Sequence, residues 1–218
     1  ACRHCAPSRD IEKVHGALDI LDHAAPRLGS GMKIGLDATR KVAGEDIDGR
    51  PILKPRDLPS QAECEQAVSR AKTIPGVLDA AAPEGSPGWL FIRADRDLDE
   101  ARSEGLGARI LIEYFEEPTA LPFVVVLGRS VDIHDHHAAL FHWVANSDAG
   151  RDAFWTARPD WIRWSSQGQT DQPLSGPDRV GFDATPKTPG DARHAHPVRP
   201  WPPVLPTVPL QACRPRCK

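Results

Sequence analysis

Most of what would mark a specialised protein is missing from this 218-residue sequence, and each shortfall excludes something. Net charge is nearly absent: 27 basic and 30 acidic residues leave −3. Nothing therefore calls for a phosphate backbone or an anionic membrane as partner. Long apolar runs are missing as well. The longest, Phe123–Leu127, falls far short of the ~20 residues that cross a bilayer. The start, Ala1-Cys2-Arg3-His4-Cys5, has no charged-then-apolar leader and no methionine, so a piece of a longer protein is expected. No glycine-rich phosphate loop is visible, because Gly29-Ser30-Gly31 follows no strand pattern and opens no helix. Aromatic residues make up only 6%. With little basic charge nearby, Trp155, Trp161 and Trp164 read as a packed loop cluster rather than a stacking platform. Five cysteines are an odd number and a poor start for a disulfide framework, so they read as reduced thiols of a cytoplasmic protein.

What is present reads as one domain or two small ones, long enough to bury roughly 70% of the unfolded chain's surface. Ser60-Gln61-Ala62-Glu63 is a capping box, after which Cys64, Ala67, Val68 and Ala71 recur at helical spacing until Pro75-Gly76. Trp89–Arg93 reads as a short buried strand. Asp97 opens a short helix with Glu100 in its first turn and Gly105 as terminator. Arg109–Phe115 and Leu121–Leu127 read as the two clearest strands, the second apolar on both faces. Asp135 caps a helix to about Asn146, with Leu140, Trp143 and Val144 on its inward stripe. Alternation of strands and helices predicts an α/β fold, with a mixed or parallel sheet and covering helices. Eleven of the 22 prolines fall in 171–218, and five basic residues but no acidic one follow from Arg193. Proline removes amide donors and is excluded from helix interiors, so this tail is expected to be extended along the body.

A short pattern occurs twice. Arg9-Asp10 is followed by Lys33-Ile34-Gly35-Leu36-Asp37-Ala38-Thr39-Arg40-Lys41, and Arg151-Asp152 by Val180-Gly181-Phe182-Asp183-Ala184-Thr185-Pro186-Lys187. Duplication explains the match. An Asp ending a strand before Ala-Thr can accept from amides a few residues on and pin the chain's exit. Asp37 and Asp183 are therefore read as turn clamps in preference to catalytic groups. Lys41 and Lys187 are the equivalent lysines; such a residue can reach a flavin phosphate, but more commonly covers apolar surface with its stem.

These stretches carry a family resemblance. Gly16–Pro26 with Gly31–Lys41 resembles the C-terminal region of the UbiD decarboxylases. So do Phe123–Leu127, Val131-Asp132-Ile133-His134-Asp135, Phe141–Asn146, Arg151-Asp152 and Val198–Val204. The resemblance implies a carboxy-lyase that removes carbon dioxide from an aromatic or α,β-unsaturated acid. It also implies prenylated FMN with a divalent metal such as manganese, an adduct between substrate and flavin, a Glu-Arg-Glu network, and a homo-oligomer. The family's catalytic segment has no counterpart here: Glu113, Glu116 and Glu117 lack the flanking glycines and are assigned no role. No catalytic or metal-binding residue is assigned, and the flavin-binding residues are left unknown. The expected organisation is the end of a first UbiD-like unit and a linker over 1–59, a second unit over 60–192, and the Pro-rich basic tail over 193–218. An inactive C-terminal portion of a decarboxylase is the preferred reading, and a non-catalytic assembly or metal-binding module the alternative.

Two clusters have metal-ligand chemistry. His134, His136, His137 and His142 with Asp132 and Asp135 could bind a first-row ion, but they lie where Asp caps a helix, and the structural reading is preferred. Cys2 and Cys5 with His4 are half of a zinc site that Cys213 and Cys217 complete only if the termini meet. His23 has no serine or cysteine placed to form a nucleophile dyad with it.

Overall fold

The computed structural model describes residues 3–17, 24–25, 29–40, 42, 57–97, 104–116, 121–156 and 179–187. Cys2, His23, Lys41, Glu100, Glu117, Trp161, Trp164, Cys213, Cys217, Val198–Val204 and the tail lie outside the described residues. The elements in chain order are α1 (Pro7–Asp10), β1 (Ile11–Ala17), β2 (Ser30–Leu36), α2 (Gln61–Lys72), β3 (Val77–Ala81) and β4 (Trp89–Ala94). They continue with α3 (Leu106–Phe115), β5 (Phe123–Leu127), α4 (His136–Asn146), β6 (Ala153–Trp155) and β7 (Val180–Ala184). Five strands form a mixed sheet in the order β3-β4-β5-β7-β6. The β4–β5 and β5–β7 pairs are parallel, and β3 and β6 run antiparallel at the two edges. β1 and β2 make a separate antiparallel hairpin.

The sheet's centre follows from composition. Every residue of β5, Phe123 through Leu127, is 0% exposed, as a strand covered on both faces requires. Burying each such side chain stabilises the fold by roughly 1.5–3 kcal/mol. Alternate residues enter two cores. On one face Val124 and Val126 meet Ala67 and Ala71 of α2 and Ile110, Leu111, Tyr114 and Phe115 of α3. On the other, Phe123, Val125 and Leu127 meet Ala139 of α4, Ile11 of β1, and Ile34 and Leu36 of β2. The molecule is thus a mixed α/β layer structure, as the alternation of elements implied.

The capping box forms as written. The Ser60 side chain accepts from the Glu63 amide, and the Glu63 carboxylate accepts from the Ser60 amide at 2.7 Å. Asp135 caps α4, accepting from the amides of His137 at 2.9 Å and Ala138 at 3.2 Å.

Four expectations fail for identifiable reasons. Arg109–Phe115 is helix α3, not a strand. Strands β4 and β5 are parallel, so the chain needs a crossover between them, and the intervening apolar segment supplies it. Ile110, Leu111, Tyr114 and Phe115 then form a helical stripe on the sheet. Gly105 starts that helix instead of ending one: it is the N-cap residue, at φ +67°. Val144 points outward at 67% exposure, leaving Ala139, Leu140 and Trp143 as the inner face of α4. Trp155 sits on strand β6 in the core, 8% exposed.

Leu111 packs at 0% exposure between α3 and the sheet. Leu111→Ala is expected to cost about 2–5 kcal/mol, read by denaturant unfolding. A loss below about 1 kcal/mol would contradict the helix placement.

Candidate functional site

The repeated pattern folds the same way twice. In the first copy the Ala6 amide donates to Asp10 Oδ2 at 2.8 Å, and the Asp37 amide to the Asp10 carbonyl at 2.7 Å. In the second, the Asp148 amide donates to Asp152 Oδ2 at 2.8 Å, and the Asp183 amide to the Asp152 carbonyl at 2.9 Å. The residue after the first Asp pairs with the residue before the second Asp in both copies: Ile11 with Leu36, and Ala153 with Phe182. At each exit the Asp carboxylate accepts from the Thr two residues on. Asp37 Oδ1 takes the Thr39 amide at 2.9 Å and its hydroxyl at 2.5 Å; Asp183 Oδ1 takes the Thr185 amide at 3.0 Å and its hydroxyl at 2.6 Å. Both exits are therefore Asx-type clamps.

The second clamp anchors a buried charge cluster. Arg151 grips Asp152 with a two-bond fork, Nε to Oδ1 and Nη2 to Oδ2, both 2.7 Å. Lys187 Nζ donates to Asp183 Oδ1 at 3.0 Å and to the carbonyls of Asp183 and Thr185 at 2.8 Å, and lies 3.9 Å from Asp152 Oδ1. Asp152 and Asp183 are 3% and 6% exposed. From α3, Gly107 closes over this carboxylate, and a β-carbon there would collide with Asp183 Oδ1. Among the described residues, the buried Arg151 Nη1 has no hydrogen-bond partner.

Burial and pairing work against each other here. Burial would raise the Asp183 carboxyl, but Lys187 and the Thr185 hydroxyl and amide together hold it below the usual carboxylate range. Burial pushes Asp152 up, against the pull of Lys187 and Arg151 on its ionised form. Lys13 on β1 approaches the same cluster. Burial pushes its amine from 10.5 down to about 8, partly offset by Asp148 and Asp152. The Met32 amide of β2 donates to Asp148 Oδ2 at 3.1 Å, which ties the hairpin to the cluster. These carboxylates are covered and hydrogen-bonded, so the arrangement holds the strand exits in place.

The remaining candidates have local tasks. Asp132 accepts from the His134 amide at 2.9 Å, and His134 Nε2 is 2.9 Å from Asp79 Oδ2. Asp79 also pairs with Lys72 at 2.9 Å, and that bond, joined by His134 and the Ala80 amide, draws its carboxyl down to about 2 against burial. The His136 and His137 rings lie 4.2 Å apart, tilted by 35°, and His142 lies beside Asn146. Among the described residues no three His, Cys, Asp or Glu side chains are grouped to hold a metal ion. Cys5 is a core residue at 1% exposure, its Sγ 4.0 Å from the Asp10 carbonyl oxygen. Cys64 is a half-buried free thiol on α2. Ser30 opens β2, so the Gly29–Gly31 segment is a strand entry. Glu113 and Glu116 lie along and just after α3, the latter exposed. Lys187 is buried on Asp183. Sequence reasoning missed Lys13, Asp148 and Asp79. The first two are recruited by the hairpin's docking, and only the position of Asp148 four residues before Asp152 signalled anything.

The family profile described as 3-octaprenyl-4-hydroxybenzoate carboxy-lyase C-terminal domain matches residues 56–184, more than half of the chain. Among solved structures, an evolved dimeric form of the UbiD-class enzyme HmfF from Pelotomaculum thermopropionicum, in complex with prFMN, is similar at 18% identity. It has TM-score 0.41, over 58% of this chain and 25% of that one. The vanillic acid decarboxylase of Sedimentibacter hydroxybenzoicus in open form aligns at 17% identity and TM-score 0.39, over 68% and 29%. The apo 3,4-dihydroxybenzoic acid decarboxylase AroY of Klebsiella pneumoniae aligns at 16% and 0.38, over 58% and 27%. The chain thus spans less than a third of the length of these structures.

Two outcomes follow from the cluster. Lys187→Met strands buried carboxylates and is expected to cost about 3–5 kcal/mol at neutral pH, measured by urea unfolding. A near-neutral result would contradict the pairing. Lys13 binds its proton less tightly folded than unfolded, so its burden on stability is fully present below about pH 8. That burden should lift as pH rises from 8 toward 10.5, a trend that Lys13→Met should abolish in unfolding titrations.

Proposed function

Because the chain belongs to the UbiD carboxy-lyase family through its C-terminal domain, we propose that it is the C-terminal portion of an enzyme that decarboxylates an aromatic or α,β-unsaturated acid. The observation that carries this reading is the profile match, which ends at Ala184, on the strand exit that the buried cluster pins. In this reading the protein is cytoplasmic and assembles as a homo-oligomer. No helix among the described residues is long and apolar enough to cross a membrane.

Prenylated FMN, with a divalent metal such as manganese, supplies the chemistry of carbon dioxide loss in this family. The buried cluster of this chain does not fit a flavin phosphate. Flavin phosphate needs exposed cations or free amides, yet Lys187 and Arg151 are buried and engaged by Asp183 and Asp152. The acidic side chains nearest in kind to a catalytic pair, Glu113 and Glu116, are three residues apart along and beyond α3 and have no arginine assigned between them. We therefore assign substrate, flavin and metal binding to other segments of the full enzyme. What this chain contributes is scaffold. Asp183 and Thr185 fix the direction in which the polypeptide leaves β7, and Arg151 and Lys187 neutralise the carboxylates that do so.

The reading is tested with the natural reading frame that encloses residues 1–218, produced with prenylated FMN and assayed for carbon dioxide release from a panel of aromatic and unsaturated acids. Turnover is expected from that protein and none from the 218-residue chain alone. Release by the short chain would overturn the scaffold role, and silence of the complete enzyme across the panel would overturn the assigned reaction.

A further inference from the structure

The two strand exits share their backbone and Asp–Thr bonds but differ in what covers them. β7 is enclosed: β5 pairs with one edge, β6 with the other, and α3 lies over the face that carries Gly181 and Asp183. A β-carbon on Gly181 would meet Leu111 Cδ2 at 2.5 Å and Phe115 Cε2 at 2.9 Å, so the helix requires a glycine there. Gly35 occupies the equivalent place on β2, two residues before the clamp Asp, and a β-carbon on it would meet nothing within 4 Å. Its neighbours on that face, Lys33 and Asp37, are exposed, while Met32, Ile34, Leu36 and Ala38 alternate inward. Among the described residues β2 pairs only with β1.

Orientation matches as well. Ile34, Leu36 and Ala38 enter the same core as their counterparts Val180, Phe182 and Ala184. Lys13 and Trp155 each stand three residues after the first Asp of their copy. They meet each other, with the Lys13 ammonium 5.6 Å from the Trp155 ring centre. Equivalent positions in mutual contact are the mark of an isologous, two-fold arrangement. The hairpin therefore stands as the closing part of a second unit set against the first.

We propose that the outer face and open edge of β2 dock a second helix-and-strand pair of the α3–β5 kind, carried by an α/β half joined ahead of Ala6. By the β5–β7 register, its strand runs parallel to β2 opposite Ile34–Ala38 and is apolar on both faces, like Phe123–Leu127. Its helix crosses Gly35 and brings its first turn, the positive end of the helix dipole, over the Asp37 carboxylate, as α3 does at Asp183. A second copy of this chain cannot supply the pair, because its own β5 has both edges occupied, by β4 and β7. Direct attachment follows from the second copy, where α4 ends at Asn146 and Asp148, the counterpart of Ala6, comes two residues later. This inference is independent of the reaction assigned to the family.

The test is a fusion in which a second copy of residues 57–147 replaces residues 1–5, compared with the 218-residue chain, each with and without Gly35→Val. In the 218-residue chain the substitution is expected to shift Tm by no more than about 2 °C. In the fusion it should lower Tm by about 4 °C or more, because the docked helix meets the new side chain. Amide exchange at Lys33–Asp37 should slow at least about tenfold on going from chain to fusion. Equal small shifts in both backgrounds would overturn the proposal. So would added residues that stay protease-sensitive, or amides already protected in the 218-residue chain.

Discussion

A carboxylate that ends a strand inside a protein must be neutralised or it expels the strand, and Asp183 shows how much structure that requirement recruits. Its oxygen takes the Thr185 amide and hydroxyl and the Lys187 ammonium, while its backbone amide is bonded to the Asp152 carbonyl. Asp152 in turn needs the Arg151 fork. A single buried anion thus dictates the identities of four neighbours, and α3 can approach closely only because Gly107 has no side chain. Removing any one partner leaves a charge in low dielectric, where it is most costly.

The same device at Asp37 lies open, and the contrast separates local chemistry from packing. Identical Asx turns form in both places, since a carboxylate two residues before a threonine amide needs no tertiary help. What makes one of them an element of the core is the helix above it. Buried charge here specifies geometry: the exits have one direction, and the hairpin has one seat, marked by Met32 on Asp148 and Lys13 over Trp155.

Much of the architecture was legible in the residues. Ser60 and Glu63, Asp135, and the unbroken Phe123–Leu127 run each act over a few positions, and each folded as its chemistry demands. The paired Asp-Ala-Thr exits were legible for the same reason. Arg109–Phe115 was not, because a short apolar run with Ile at two positions suits a strand and a helix equally, and only the parallel β4–β5 pair decides between them. Edge strands β3 and β6, short and dependent on their neighbours, left no readable pattern.

By itself, then, the chain's sequence determined its caps, its central strand, its two exit clamps and its family kinship, since each rests on contacts within a few residues or on a recurring motif. Tertiary structure alone decided that α3 is a helix, that Lys13 and Asp148 join the charge cluster, and that Gly181 is covered while Gly35 is open. Those outcomes depend on which surfaces distant segments bring together, and neither the sign of a buried charge's neighbours nor the cover over a glycine is written in local spacing.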